Sequence, residues 1–142
     1  MKIKSLHLFL FTIAFSFMSC EDENISKDDC DFESIICTEE FRSITLEIND
    51  LDGNPVILDD FYTFYDSRKK FEYELNDLQE GKGIYPVITD ADLQELNREG
   101  STLIFVGEKD GKNLVEHQMV IGHDCCHVLL IEGDDKLIIE NP

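Results

Sequence analysis

The 142-residue sequence predicts an all-β fold, an antiparallel-rich β-sandwich of about seven strands with one short helix around residues 90–98. Three observations carry that reading. Short runs alternate apolar and polar residues with a period of two, which gives each strand one buried and one wet face. Turn residues, among them two Asp-Gly pairs and Pro55, separate the runs at short intervals. One stretch carries a helical pattern and no internal repeat is present, so the strands must bury their apolar faces against each other.

The elements follow in order. In FRSITLEIND, Ile44, Leu46 and Ile48 alternate with Ser43, Thr45 and Glu47, a half-buried strand. DLDGNP then supplies a turn through Asp52-Gly53 and Pro55. VILDDFYTFYDS is rich in β-branched and aromatic residues, and RKKFEYEL reads as a turn with a return strand. GKGIYPVI is a further short strand in which Pro86 marks an edge or a bend. TDADLQELNREG is the helical stretch. Thr89 serves as N-cap with Asp92 three residues on, Asp90 and Asp92 suit the positive end of the dipole, Leu93 and Leu96 form the apolar stripe, and Gly100 stops it. STLIFVGEKDGKNLVEHQMVIG is two strands around Asp110-Gly111, and CCHVLLIEGDDKLIIE gives one good strand and a short last one.

Ahead of the sandwich lies a different kind of sequence, MKIKSLHLFLFTIAFSFMSCEDENISKDD. Lys2 and Lys4 precede an apolar run from Leu6 to Met18, which has the length of a signal peptide's central region and is short for a bilayer-spanning helix. The run ends in Ser19-Cys20 and polar acidic residues follow at once. This junction resembles the lipobox of bacterial lipoproteins, although Phe17 and Met18 depart from its usual residues. The resemblance implies a leader at 1–19, cleavage before Cys20, and acylation of Cys20. Two or three acyl chains on one residue make a stable anchor, where a single chain holds only marginally. Residues 20–36 then form a lipidated cysteine and an acidic tether, with the sandwich domain at 37–142. Acidic residues directly after the cysteine resemble the export signal of surface-exposed lipoproteins of Bacteroidetes-type bacteria. The implied location is the bacterial outer membrane, lipid-anchored and surface-exposed, with a periplasm-facing position as the alternative.

Charge narrows the partners. The chain carries 12 Lys and Arg against 31 Asp and Glu, a formal net charge of -19. That field repels nucleic acid and anionic membrane surfaces, so neither is expected as a partner. It is read as a solvated acidic coat rather than a divalent-cation store. Trp is absent, which weakens the case for a sugar-stacking platform, although four Tyr and ten Phe remain.

GHDCCHV, from Gly122 to Val128, concentrates the residues with chemistry. Cys37, Cys125 and Cys126 with His123 or His127 make a nominal zinc set. Neighbouring residues on a strand point to opposite faces, however, so Cys125 and Cys126 are not expected to share an ion, and no C-x2-C pair is present. A catalytic thiol needs a base beside it, and His127 lies two positions from Cys125 on the same strand face. In an oxidising envelope, paired cysteines become disulfides. With Cys20 assigned to lipid chemistry, Cys30, Cys37, Cys125 and Cys126 form an even set and are expected as two disulfides. A bridge between neighbours Cys125 and Cys126 would strain the peptide. Two connectivities remain, both joining the N-terminal segment to the last long strand. His117, His123 and His127 are read as bystanders. Asp50, Asp52 and Asn54 resemble the start of a calcium loop, but an EF-hand's downstream Glu would fall on Phe61, and a plain turn is favoured. LDDFYTFYDSRKK, with the basic cluster Arg68 to Lys70, is read as sandwich strand and basic turn ahead of a ligand face.

The strand ITLEIND followed by DGNPV is similar to the opening hairpin of carboxypeptidase-regulatory-like and transthyretin-like domains. IYPVITDADLQELNREGSTLIFVG and GHDCCHVLLI resemble small Bacteroidetes lipoproteins of that sandwich type, over roughly Cys37 to Ile131. The resemblance implies a prealbumin/Ig-like sandwich, an accessory or binding role, and no catalytic residues. In such a sandwich the first and last strands can lie side by side and parallel, and chain order then pairs Cys30 with Cys125 and Cys37 with Cys126. The expectation is a membrane-anchored, non-catalytic binding module without metal or cofactor, its partner an envelope protein, peptide or glycan. The rivals are a divalent-metal module using the acidic turns and a thiol enzyme using Cys125 and His127.

Overall fold

The computed structural model describes Cys30, residues 34–65 and residues 69–140. The expected leader, Cys20, most of the tether and Arg68 lie outside the described residues. Among the described residues eight strands form: β1 Ser43–Asp50, β2 Asp60–Tyr65, β3 Lys69–Phe71, β4 Ile84–Thr89, β5 Ser101–Lys109, β6 Lys112–His123, β7 Val128–Glu132 and β8 Lys136–Ile139. They build two sheets, one of three strands in the order β4-β1-β8 and one of five in the order β3-β2-β5-β6-β7. The fold is an all-β sandwich, and the short last strand expected after β7 is present as β8.

The pairing is antiparallel except between β1 and β8, which run parallel from Glu47↔Lys136 to Asp50↔Ile139. The alternation in β1 buries Leu46 and Ile48 completely. Pro86 sits in β4, an edge strand, and the register shifts between Ile44 and Thr45 opposite it. Both outcomes of a strand proline are therefore present together, since it lacks an N–H for the ladder. Asp110 and Gly111 both adopt positive φ, 51° and 69°, as the tight β5–β6 hairpin requires.

The core lies between the sheets. Leu46, Ile48, Val87, Leu103, Phe105, Met119 and Ile121 are essentially inaccessible. Phe61, Tyr85 and Phe105 cluster with ring centroids 5.0 to 6.2 Å apart. Such aromatic contacts add to the area they bury. Tyr85 also serves a buried polar need. Its hydroxyl donates to the Val56 carbonyl at 2.7 Å and accepts the Leu58 N–H at 2.9 Å, which fixes the irregular run into β2.

The helical segment is a 3-10 helix, Asp90–Glu95, shorter and tighter than the expected span of 90–98. Thr89 precedes it but makes no side-chain cap to the backbone; its hydroxyl donates to Asp92 Oδ2 at 3.2 Å. The Leu96 N–H closes on the Leu93 carbonyl at 3.1 Å, and both leucines are buried as the stripe predicted. A segment this short gains little from α-helical propagation, and the two leucine anchors decide its geometry.

One core position is mismatched. Among the described residues, the Thr63 hydroxyl is buried and finds no hydrogen-bond partner, while the residue is fully enclosed in β2. Thr63→Val keeps the shape and removes the desolvated hydroxyl. It is expected to raise unfolding stability by about 1 kcal/mol in urea titrations, and a destabilised variant would show that the hydroxyl has a partner.

Candidate functional site

Four residues, Asp124 to His127, connect β6 to β7. Asp124 shapes the turn: its Oδ1 accepts the Cys126 N–H at 2.9 Å and the His127 N–H at 2.8 Å. Those two donors hold its carboxyl below the usual range. Cys125 takes a left-handed conformation, φ 75°, which is uncommon for a residue with a Cβ. The two cysteines thus lie in a bend, not on the strand where period-two reading placed them. Each sulfur has its own partner. Cys30 bonds to Cys125 and Cys37 to Cys126, with Cα–Cα separations of 5.6 and 5.4 Å, normal for disulfides.

These are the pairs that chain order gave, but their surroundings differ. The strand parallel to β1 is β8, whereas the bridged turn leads into β7 on the other sheet. The bridges therefore tie the segment before β1 to the end of the five-stranded sheet. They close loops of 95 and 89 residues, for which chain entropy gives an upper estimate of about 4–5 kcal/mol each.

The histidines beside the cysteines are not bystanders. His123, 3% exposed, accepts the Cys125 N–H on Nδ1 at 3.1 Å. Nε2 therefore carries the proton and donates to the Leu96 carbonyl at 3.3 Å. Cys30 Sγ lies 4.0 Å from the same Nδ1. His127 hydrogen-bonds Asp90 and Thr38: its Nδ1 meets Asp90 Oδ2 at 2.8 Å and its Nε2 meets the Thr38 hydroxyl at 3.0 Å.

Asp90 gathers this end of the molecule. Oδ2 also accepts the Arg42 N–H at 2.7 Å, and Oδ1 accepts the Val128 N–H at 2.8 Å. Burial alone would raise its carboxyl, but the hydrogen bonds from His127, Arg42 and Val128 outweigh it and hold it below the ordinary range. One carboxylate thereby joins the run into β1, the 3-10 helix and the start of β7. The run Thr38–His127–Asp90 has the order of a hydroxyl–imidazole–carboxylate relay. Its carboxylate also accepts the Arg42 and Val128 N–H groups, so this run acts as a latch for the segment next to Cys37.

A second region lies on the outer face of the five-stranded sheet. An open groove of about 840 Å³ is lined by Tyr62 and Phe64 of β2, Ile104 and Val106 of β5, Glu116 of β6, and Asn97. Tyr62 and Phe64 meet edge to face, centroids 5.1 Å apart. The Tyr62 hydroxyl donates to Glu108 at 2.9 Å, and the Lys70 ammonium stands 3.9 Å above the Tyr62 ring. The volume falls within the range of small-ligand sites. The aromatic strand read chiefly as sandwich framework thus serves both faces: Phe61 and Thr63 point inward, Tyr62 and Phe64 outward.

The remaining candidates have structural partners. Asp50 closes its own turn, Oδ1 accepting the Asp52 and Asn54 N–H groups at 2.9 and 2.8 Å and Oδ2 the Asn54 amide at 2.9 Å. His117 Nε2 donates to the Asp134 carbonyl at 2.9 Å. No family model, curated protein or solved structure matches the chain.

The Asp90 latch has a pH consequence. Its carboxyl titrates lower in the folded chain than when unfolded, so its stabilisation is complete above the unfolded value, near 3.8, and is lost as pH falls through the folded value. Asp90→Asn is expected to cost about 1–3 kcal/mol at neutral pH, with the gap to wild type closing in acid. Urea unfolding across pH reads this, and a gap that is constant with pH would contradict it.

Proposed function

We propose that the chain is a lipid-anchored envelope protein whose sandwich domain binds an extended polar ligand, a peptide or a glycan, without transforming it. The observation that carries the binding role is the aromatic groove on the outer sheet face. A β-sheet needs only one apolar face for its core, yet half-exposed Tyr62, Phe64 and Ile104, with the buried Val106 among them, form a second one. Aromatic rings there give contact area at small entropic cost, and Asn97 and Glu116 offer hydrogen bonds to a polar chain. Anchoring rests on the Ser19-Cys20 junction with its preceding apolar run, and the two disulfides suit an oxidising compartment. The placement on the cell surface follows from the acidic residues after Cys20 and belongs to the same reading.

Two experiments separate the parts. In bacterial cells fed an acyl-chain label, the wild-type chain should carry label and partition with detergent, and Cys20→Ala should do neither; a labelled variant would sink the anchor. Screening the soluble domain against peptide and glycan arrays should give binders that Tyr62→Ala with Phe64→Ala weakens at least tenfold, while its thermal midpoint stays within a few degrees. Binders indifferent to that double change would move the site elsewhere.

A further inference from the structure

We propose that reduction of the Cys30–Cys125 bridge opens a zinc-class cation site with Cys30 Sγ, Cys125 Sγ and His123 Nδ1 as its protein ligands. The three atoms already lie within 4.8 Å of one another. Ligand atoms bound at about 2.0–2.3 Å around a tetrahedral ion stand within about 4 Å of each other, so parting the two sulfurs is the main rearrangement. The set read from the sequence is Cys37, Cys125 and Cys126 with His123 or His127; the folded chain instead brings Cys30 to Cys125 and His123.

His123 is prepared for this role. Its Nε2 proton is donated to the Leu96 carbonyl, the outer contact that metal-binding histidines ordinarily make to fix the tautomer and aim the other nitrogen. Nδ1 keeps its lone pair, which now accepts the Cys125 N–H. A metal would take the place of that hydrogen bond. His123 and Cys125 are buried at 3% and 6% exposure, and Cys30, half-buried, leaves the outer side for a fourth ligand such as water. Cys125 holds its place through a left-handed backbone conformation, and strained φ values cluster at functional positions.

The chemistry balances with a dithiol reductant. Exchange breaks the Cys30–Cys125 S–S bond, leaves two thiols here, and oxidises the reductant to its own disulfide. A divalent cation then displaces both thiol protons to solvent, and two thiolates neutralise its charge in a largely buried site. The same dithiol state exists in any newly exported chain before oxidation.

The test uses cobalt(II), whose visible bands report tetrahedral thiolate ligation, on the full chain. Reduced Cys37→Ser/Cys126→Ser protein should bind one equivalent with a two-thiolate spectrum, and its oxidised form should bind none. Adding His123→Ala should weaken binding at least about tenfold, the scale on which even ligand-supporting residues count. Where the reduced parent folds only with metal, cobalt-dependent gain of β-sheet circular dichroism, lost with His123→Ala, gives the same answer. No binding by the reduced parent, equal affinity with and without His123, or undiminished binding by reduced Cys30→Ser/Cys125→Ser overturns the site.

Discussion

The structure depends on the clamp between the segment before β1 and the turn from Asp124 to His127. Two disulfides make the clamp covalent, and the Asp90 carboxylate makes it specific. A domain of this size has a net stability of about 5–15 kcal/mol, so two long-loop bridges are of the same order as the whole balance. The described residues 34–41 are exposed throughout, so burial does little to hold that run without the bridges. The bend geometry also follows from the clamp. Asp124 folds the turn, Cys125 takes positive φ, and the two sulfurs reach two different residues of the same incoming segment.

The clamp and the groove share one short piece of chain. The Leu96 carbonyl accepts the His123 proton on the buried side, while the next residue, Asn97, lines the groove. The Asn97 N–H is held by the Ser101 hydroxyl at 2.7 Å, and its side chain donates to the Tyr65 hydroxyl at 3.4 Å. Gly122 permits this arrangement, because a Cβ there would collide with the Arg98 carbonyl. The candidate binding surface and the candidate metal cluster are neighbours through Leu96 and Asn97.

The local parts of the fold were legible in the sequence. Period two placed Leu46 and Ile48 inward, Asp110-Gly111 marked the hairpin, and Pro86 marked an edge. What was not legible depends on contacts between residues far apart. His127 and Asp90 are 37 positions apart, and Thr38 and His127 are 89 apart, so no local pattern signals either pair. The cysteines were read as strand residues because CCHVLLIEG continues apolar into β7, yet Asp124 spends its carboxylate on two N–H groups that a strand would have used for pairing. The helix lost its last residues because Leu96 had to enter the core rather than continue a turn. The outer aromatic face was visible as the alternation of Phe61, Tyr62, Thr63 and Phe64. Only the assembled sheet shows that β5 adds Ile104 and Val106 beside it.

The most direct measurement is peptide mapping, under non-reducing conditions, of the folded, oxidised protein. The account predicts two linked peptide pairs, Cys30 with Cys125 and Cys37 with Cys126, resolved by cleaving between Cys30 and Cys37 and between Cys125 and Cys126. Crossed pairs, a Cys125–Cys126 bridge, or free thiols at these positions in folded oxidised protein would contradict the clamp on which the rest stands.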